Sequence, residues 1–500
     1  MWAGRVSTSP LVIHASLFPQ AETDAYHFQC DCACPDDGFV LQPRSQLPSV
    51  GELPLRHPVL HRQQLADSYT LLFNPIHDRG VAVLNPAAHA LWQHFARPQR
   101  VTDALAGEAD SESLGTIDSL LRFGLLESVG KRFAPRQGAP QTLSTWIHVT
   151  NACNLRCDYC YIDKSDEEMP ADVGWAAVDA IFRSAAANGF RQVKLKFAGG
   201  EALLNWQRVL EMEAYARERS QQTGIGVEAV LLSNGVFTSE EVIAECKTRQ
   251  IRISISLDGV GDYHDSQRRF VNGRGSFAWV DRTIERLIAA GIHPFISITL
   301  SNRNADGLAE TVAYALERQL PFNINFFRDN ECAAPYGDLR LQDERIINAI
   351  LRAFAVIEDN LPEQSLLGYL VDRAQFNTPH NRTCSAGQSY LVIDQRGNIA
   401  KCQMEIEQPI TNVFAPDPLA MLRGAGEGVQ NLPVDEKEGC RECEWRYWCA
   451  GGCPIATYRA TGRYDVKSPN CHIYKAIYPE ALRLEGLRLL KLANRYGQIH

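Results

Sequence analysis

The sequence predicts an α/β protein whose centre is an open, partial (β/α)6 barrel, preceded by a small module and followed by a cysteine-rich domain. Strand-like segments alternate six times with helical patterns between residues 144 and 335. These strands are almost continuously apolar, as in parallel sheets that helices cover on their faces. The chain of 500 residues has room for about three domains. Ligands are expected at the carboxyl ends of the strands.

Charge and composition exclude several classes of protein. The net charge is -9, so we expect no nucleic-acid partner, because such binders carry a basic face. No run of 18 apolar residues predicts a membrane span, and the first 20 residues lack a secretory signal. We therefore expect a cytoplasmic protein. Its 15 cysteines then indicate metal binding rather than disulfides.

Residues 1–64 form an amino-terminal extension with many prolines and weak periodicity. Alternate spacing places Cys30, Cys32 and Cys34 on one face of an extended segment. A zinc or cluster site there would have only three ligands, and we favour free thiols.

Residues 65–137 are predicted to form a separate module. Segments 68–73 and 80–84 favour strands around a turn. Asn85 then caps a helix that begins at Pro86. Two short helices follow at 101–106 and 114–126, which together predict a winged-helix shape.

The elements of the barrel follow in order. Its strands are predicted at 146–150, 193–198, 229–233, 253–257, 295–300 and 323–327, and its helices at 171–188, 206–222, 239–249, 277–290 and 305–319. A helical bridge spans 336–380, the cysteine-rich domain 381–475, and an amphipathic helix lies within 476–500.

The first cysteine group follows directly after the first barrel strand. Cys153, Cys157 and Cys160 can bind three irons of a [4Fe–4S] cluster from one loop. The fourth iron then remains open for a cofactor or substrate, whereas a structural site more often has four ligands.

This loop, in this position, resembles that of the radical S-adenosylmethionine (SAM) enzymes, over most of residues 144–475. The resemblance implies a partial TIM barrel and a [4Fe–4S] cluster that binds SAM. Gly199, Gly200 and Glu201 match the turn that binds the amino group of SAM, where a carboxylate would pair with an ammonium. Other positions implied to contact the cofactor are Tyr159, Ser233, Asn234, Asp258 and Arg268, with Arg269 as an alternative to Arg268.

Seven further cysteines resemble the SPASM extension of peptide-modifying radical SAM enzymes. The resemblance implies two auxiliary [4Fe–4S] clusters: one bound by Cys440, Cys443, Cys449 and Cys471, the other by Cys384, Cys402 and Cys453. The second set lacks a fourth ligand, and His380, Cys332 or an open iron remain as alternatives. A zinc site at Cys440 and Cys443 is the rival interpretation, and Cys246 is expected to be a packing residue.

The family's chemistry follows from the same resemblance. An electron from a donor such as flavodoxin or ferredoxin cleaves SAM, and the resulting 5'-deoxyadenosyl radical abstracts a hydrogen from the substrate. Sulfatase maturases usually carry Asp directly after the second cysteine of the extension, but here Gln403 follows Cys402, which demotes that reaction.

The module at 65–137 resembles the peptide-recognition element of precursor-peptide maturases in residues 84–92 and 121–126. It implies a precursor peptide whose leader adds to a strand edge. A packing domain is the simpler alternative.

We therefore expect a maturase that installs a carbon–carbon or thioether crosslink. The alternatives are a peptide epimerase, another modification of a peptide or protein including sulfatase-type maturation, a winged-helix redox regulator, and an electron-transfer protein.

Overall fold

The computed structural model describes residues 9–18, 39–40, 54–65, 68–77, 80–106, 110–130, 136–365, 370, 372, 376 and 379–497. The predicted thiol group at Cys30, Cys32 and Cys34 lies outside these residues. The strands are β1 Val12–His14, β2 Phe39–Val40, β3 Leu55–Arg56, β4 His61–Gln64, β5 Thr70–Phe73, β6 Val81–Leu84, β7 Glu127–Ser128, β8 Arg136–Gln137, β9 Thr142–His148, β10 Gln192–Ala198, β11 Gly226–Ser233, β12 Arg252–Ser256, β13 Phe295–Leu300, β14 Phe322–Phe326, β15 Tyr390–Ile393, β16 Asn398–Ala400 and β17 Thr411–Asn412. The helices are α1 Pro86–Gln93, α2 Val101–Ala104, α3 Ser111–Arg122, α4 Ala171–Ala187, α5 Trp206–Thr223, α6 Glu240–Arg249, α7 Asp262–Asp265, α8 Phe277–Ala289, α9 Leu308–Glu317, α10 Asp343–Asp359, α11 Pro418–Gly424, α12 Arg446–Cys449, α13 Pro454–Thr461 and α14 Cys471–Arg495.

The central sheet contains the six predicted strands, β9 to β14, in chain order and all parallel. A helix connects each strand to the next, from α4 after β9 to α9 before β14. The predicted strand–helix alternation is therefore confirmed, while the curvature of a partial barrel stays a prediction. The parallel register places the carboxyl ends of all six strands at one edge of the sheet.

The first of these strands is shifted from its predicted position. It spans Thr142–His148 rather than 146–150. The chain bends after His148, and the Asn151 amide donates to the Glu167 carbonyl in the following loop at 2.8 Å instead of pairing with β10.

The cysteine-rich domain continues the central sheet. Strand β15 pairs parallel with β9 on the side opposite β10, and β16 and β17 then extend the sheet antiparallel. All four residues of β15 are buried, which fits a strand with a neighbour on each side.

The amino-terminal module is built around a four-stranded antiparallel sheet in the order β1-β6-β5-β4. Its strands β1 and β4 come from residues 12–14 and 61–64, so the module extends upstream of the predicted boundary at residue 65. Asn85 caps α1 as predicted, by accepting a hydrogen bond from the Ala88 amide. The winged-helix shape stays a prediction.

The third helix of the module is predicted at 114–126 but spans Ser111–Arg122. It starts earlier because the Asp110 carboxylate caps it, accepting from the Ser113 amide at 2.7 Å. It ends earlier because Gly124 adopts a left-handed conformation with a φ of +67°, which terminates helices.

The carboxy-terminal helix α14 packs against the sheet of this module. Gly486 of α14 faces Leu65, Leu71 and Val83, and the Trp448 indole nitrogen donates to the Pro75 carbonyl at 2.6 Å. The opposite sheet face, which includes Leu72 and Leu84, packs with α1 and α3. The sheet is thus covered on both faces. Among the described residues, no helix combines the length and apolarity that a membrane span needs.

Candidate functional site

The first cysteine loop leaves the carboxyl end of β9 and is held in place by the segment that follows α7. The Arg156 amide donates to the Arg269 carbonyl at 2.7 Å, and the Asp158 amide to the Gln267 carbonyl at 3.0 Å. Leu155 is fully buried and forms a β-bridge with Phe270. Backbone contacts therefore fix the loop, which leaves its cysteine side chains available.

The thiols of Cys153, Cys157 and Cys160 lie within electrostatic reach of one another. Burial raises the pKa of Cys157 to about 12, although the nearby charges of Arg268 and Lys164 oppose this. The structure also adds Lys164, which sequence reasoning missed. Burial disfavours the charge of Lys164. Its hydrogen bond to Cys160 and its electrostatic interaction with the three thiols outweigh that effect, so the pKa of Lys164 is raised.

Gly199 and Gly200 pack against the backbone that precedes the cysteine loop. A Cβ atom at Gly199 would lie 2.3 Å from the Thr150 carbonyl oxygen, and one at Gly200 would lie 2.1 Å from that of Ala152. Gly199 also has a φ of +149°, which favours glycine. Only glycine fits at these positions, because the two loops approach each other backbone to backbone.

The carboxylate of Glu201 is buried and joins the ends of β10 and β11. It accepts hydrogen bonds from the Ser233 hydroxyl at 2.9 Å and from the amides of Asn234 and Leu203 at 2.7 and 3.1 Å. Burial outweighs these bonds and raises the pKa of Glu201. A carboxylate offers about four acceptor positions, so one remains for an ammonium.

Tyr159, Asp258 and Arg268 form a buried network beside the cysteine loop. The Tyr159 hydroxyl and the Gln267 amide donate to one oxygen of Asp258, at 2.7 and 3.0 Å, and the Thr299 amide donates to the other at 2.8 Å. Arg268 donates to the Tyr159 hydroxyl and lies 3.7 Å from Asp258. Because the Asp258 carboxylate is engaged by the protein, it positions Tyr159 and Arg268.

Arg268 is the member of this network that is available for a ligand. It is 5% exposed, and its Nε atom has no hydrogen-bond partner among the described residues. Burial disfavours the charge, but Cys157, Tyr159 and Asp258 outweigh it, so the pKa of Arg268 is raised and the guanidinium stays charged. The alternative Arg269 is exposed and donates to the carbonyls of Asp265 and Ser266.

The predicted four-cysteine set comes together around one cavity. The wall of this small cavity includes Cys440, Cys443, Cys449 and Cys471. Burial raises the pKa of Cys440 to about 11 and that of Cys449 to about 12. Among the described residues, no three His, Cys, Asp or Glu side chains are grouped as ligands of a single metal ion.

The predicted three-cysteine set also comes together. Burial raises the pKa of Cys402 to about 12, with Cys453 and Cys384 as its charged neighbours. Of the two suggested fourth ligands, Cys332 instead has Cys160, Asp163 and Lys164 as its electrostatic neighbours, by the first loop. The His380 amide donates to the Tyr447 carbonyl, two residues before Cys449.

Two buried cations beside these cysteines were not predicted. The Arg328 Nε donates to the Cys453 sulfur at 3.2 Å, and its guanidinium pairs with Asp372 at 2.6 Å. Lys437 is 1% exposed, donates to the Ala450 carbonyl at 2.7 Å, and has cysteines of both sets as electrostatic neighbours. Both could be recognised only from the fold, because each is remote in sequence from some of the thiols that it approaches.

His148 is a further buried polar residue that sequence reasoning missed. It lies at the end of β9, where its Nε2 accepts from the Trp146 indole at 2.8 Å and lies 3.4 Å from the Tyr161 hydroxyl. Burial lowers its pKa to about 3, so the ring is neutral. Tyr161 has both Cys160 and Cys402 as electrostatic neighbours, which places this group between the first loop and the three-cysteine set.

Comparison with known proteins agrees with this geometry. Residues 147–315 match the Radical SAM superfamily. The chain contains a radical SAM domain. Members of this superfamily bind a [4Fe–4S] cluster and SAM, and the residues here fit both: three thiols on one loop, a free acceptor position on Glu201, and the unpartnered Arg268 Nε among the described residues.

The radical SAM domain is similar to parts of several curated proteins. The chain is 27% identical over 171 residues to the sporulation killing factor maturation protein SkfB of Bacillus subtilis, covering 34% of this chain and 38% of SkfB. It is 24% identical over 338 residues to the antilisterial bacteriocin subtilosin biosynthesis protein AlbA of Bacillus subtilis, covering 63% of this chain and 67% of AlbA. A match to an uncharacterised protein of Methanocaldococcus jannaschii, 28% identical, spans 57% of that protein.

Among solved structures, native anSMEcpe with bound AdoMet has a TM-score of 0.55 and 19% identity, covering 71% of this chain and 99% of that chain. The two chains therefore share a similar fold.

Proposed function

We propose that this protein is a radical SAM maturase that installs a carbon–carbon or thioether crosslink in a ribosomally made precursor peptide. The observation that carries the proposal is the presence, in one chain, of two thiol sets beyond the first cysteine loop, one of them lining a common cavity. Two auxiliary [4Fe–4S] clusters bound there would accept the electron that the substrate radical gives up when a crosslink forms. Similarity to AlbA, named for biosynthesis of the bacteriocin subtilosin, and to SkfB, named for maturation of the sporulation killing factor, supports a peptide substrate.

Different residues of the radical SAM domain would bind the cofactor and position the residues that bind it. Bound together, the cluster and SAM supply a 5'-deoxyadenosyl radical. Glu201 and Arg268 would hold the ammonium and carboxylate of the methionine part of SAM, while Ser233 and Asn234 fix the Glu201 carboxylate. The Asp258 carboxylate orients Tyr159 and Arg268. These groups position the cofactor and limit the access of water to a reactive radical.

The amino-terminal sheet is the proposed site for the leader of the precursor. Among the described residues, its edge strands are β1, which is buried, and β4, which is partly exposed, and an extended peptide would add to one of them through main-chain hydrogen bonds. Hydrogen-exchange mass spectrometry with the precursor separates the two edges, because only the edge that gains a strand acquires new protection. Protection at neither edge would contradict recognition by this sheet.

The proposed reaction is tested by coexpression with candidate precursor peptides, taken from short open reading frames near this gene. A crosslink removes two hydrogens from the peptide, and mass spectrometry detects that loss. An unchanged mass with inverted stereocentres would identify an epimerase instead. The Cys157→Ala variant, assayed anaerobically after cluster reconstitution, should form no 5'-deoxyadenosine, and turnover at the wild-type rate would contradict the cluster assignment.

Sulfatase-type maturation remains the weaker candidate. Gln403 occupies the position directly after Cys402, and its carbonyl oxygen lies 3.3 Å from the Tyr390 hydroxyl, which is oriented to donate to it. A carboxamide cannot serve as the carboxylate base that sulfatase maturases usually carry there.

A further inference from the structure

An apolar patch on the surface lies directly outside the first cysteine loop. Val271, Phe237 and Trp279 are 61%, 56% and 37% exposed. The Trp279 ring centroid lies 6.2 Å from those of both Phe237 and the half-buried Phe270, so these three rings are contiguous, and Val271 follows Phe270 in the chain. Soluble proteins seldom leave such a group of large apolar side chains in water unless it binds a partner.

The patch is joined to the cysteine loop by the backbone. Phe270 forms a β-bridge with Leu155, which lies between the first and second cysteines of the loop. The amide of the next residue, Arg156, donates to the Arg269 carbonyl at 2.7 Å. A protein bound on the patch would therefore sit next to the loop that holds Cys153, Cys157 and Cys160.

Arginine side chains are concentrated in the same segments. Arg156, Arg269, Arg274 and Arg282 are exposed, and none of them has a salt-bridge partner within the part of the chain that the structure describes. Arg282 lies over the Trp279 ring, 5.3 Å from its centroid. We call these four arginines with Phe237, Phe270, Val271 and Trp279 the arginine-rimmed patch.

Three carboxylates near the patch are already engaged. Asp265 accepts from the amides of Ser276 and Phe277, Asp158 pairs with Arg303, and Glu240 pairs with Arg286. The arginines therefore present a local positive surface on a chain whose net charge is -9. Such a surface attracts an acidic protein, and the attraction weakens as salt is added.

We propose that the arginine-rimmed patch docks the protein that donates electrons, an acidic one-electron carrier of the flavodoxin or ferredoxin type. This inference rests on the proposed function, because each cleavage converts one SAM sulfonium and one electron into methionine and a 5'-deoxyadenosyl radical. The donor loses that electron, and it must release it close to the cysteine loop. A small apolar centre inside a charged rim suits a transient complex of this kind.

The test compares a protein donor with a chemical one. The Arg274→Glu/Arg282→Glu double variant and the Trp279→Ser variant change exposed side chains of the patch. The Arg97→Glu/Arg100→Glu variant makes the same charge change on exposed arginines of the amino-terminal module. Formation of 5'-deoxyadenosine by the reconstituted full-length enzyme is measured with dithionite, and then against the concentration of a flavodoxin kept reduced by its NADPH-dependent reductase.

We expect all variants to match wild type with dithionite. With flavodoxin, the patch variants should need about tenfold more donor for half-maximal rate, and the wild-type rate should fall steeply with salt. Equal flavodoxin dependence in the patch and control variants would overturn the proposal. A second outcome would also overturn it: the wild-type enzyme is a dimer, Trp279→Ser dissociates this dimer, and the flavodoxin dependence does not change. In that case a second copy of the chain covers the patch. Absence of wild-type product with dithionite would instead contradict the proposed function.

Discussion

Tyr159 donates its hydroxyl to the Asp258 carboxylate at 2.7 Å and so ties the cysteine loop to the end of β12. The same carboxylate lies 3.7 Å from the Arg268 guanidinium. Both charged side chains are at most 6% exposed, so each depends on the other for compensation of its charge. This pair holds one wall of the cofactor site in place.

The first prediction removes the charge of Asp258. The Asp258→Asn substitution leaves Arg268 buried beside a neutral group, so we expect a loss of about 3 kcal/mol in the free energy of unfolding. Anaerobic guanidinium denaturation, followed by tryptophan fluorescence, measures this loss. The control, Asp262→Asn, changes an exposed carboxylate at the start of α7 and should have little effect. Equal effects of the two substitutions would show that the buried pair contributes nothing.

The second prediction concerns the close approach at Gly199 and Gly200. Gly200→Ala would bring its Cβ 2.1 Å from the Ala152 carbonyl oxygen, so the cysteine loop must move. We expect reconstitution to yield less iron and SAM to bind more weakly. Gly189→Ala is the control: its φ is +72°, but no atom lies within 4 Å of the added Cβ. If both variants retain iron and SAM equally, the backbone contact does not position the loop.

These two cases show what the sequence reveals and what it does not. The spacing of Cys153, Cys157 and Cys160 and the Gly199–Gly200 pair are local patterns, and the parallel sheet brings them together as expected. The contacts of Arg328 with Cys453 and of Lys437 with Ala450 depend on how the cysteine-rich domain folds. The pairing of β15 with β9 is equally non-local, since it joins residues about 250 positions apart, and periodicity within one segment carries no information about it.

The third prediction is a dependence of stability on pH that arises from His148. Its folded-state pKa of about 3 lies below the ordinary value of 6.5. As the pH falls below 6.5, the His148 imidazole binds a proton in the unfolded chain but not in the native state. The free energy of unfolding therefore decreases from neutral pH towards pH 3. Between pH 6 and 5, wild type should lose about 1.2 kcal/mol more than His148→Gln. Identical slopes for wild type and His148→Gln would contradict the assignment.

The fourth prediction counts iron. Three [4Fe–4S] clusters correspond to about twelve irons per chain, and Cys449→Ala should remove about four of them by opening one ligand set. Cys246→Ala is the matched control, because Cys246 is 1% exposed on the apolar side of α6 and belongs to none of the three thiol sets. Iron and sulfide analysis with Mössbauer spectroscopy measures both variants. A wild-type chain with one cluster and a zinc ion would overturn the two auxiliary clusters.

The last prediction separates leader recognition from SAM cleavage. Deleting residues 1–137 would be ambiguous, because the inner face of the amino-terminal sheet covers α14 and Trp448, and its removal would expose apolar surface. A point substitution at this interface keeps the module attached to the chain and changes only its placement. A Cβ at Gly486 already lies 2.8 Å from the Leu71 side chain and 2.9 Å from that of Leu65, so Gly486→Leu should force the sheet away from α14.

We expect Gly486→Leu to leave the formation of 5'-deoxyadenosine unchanged, because Gly486 and the sheet belong neither to the first cysteine loop nor to the residues proposed to hold SAM. Modification of the precursor should slow, since the leader would then be held in the wrong place relative to the active site. The control, Asn494→Leu, adds the same side chain on the exposed side of α14 and should change neither the formation of 5'-deoxyadenosine nor the modification of the precursor. The measurements are precursor affinity, product yield and 5'-deoxyadenosine for each variant. Normal product yield from Gly486→Leu, with the sheet shown by hydrogen exchange to have separated from α14, would mean that the module only packs and does not place the peptide.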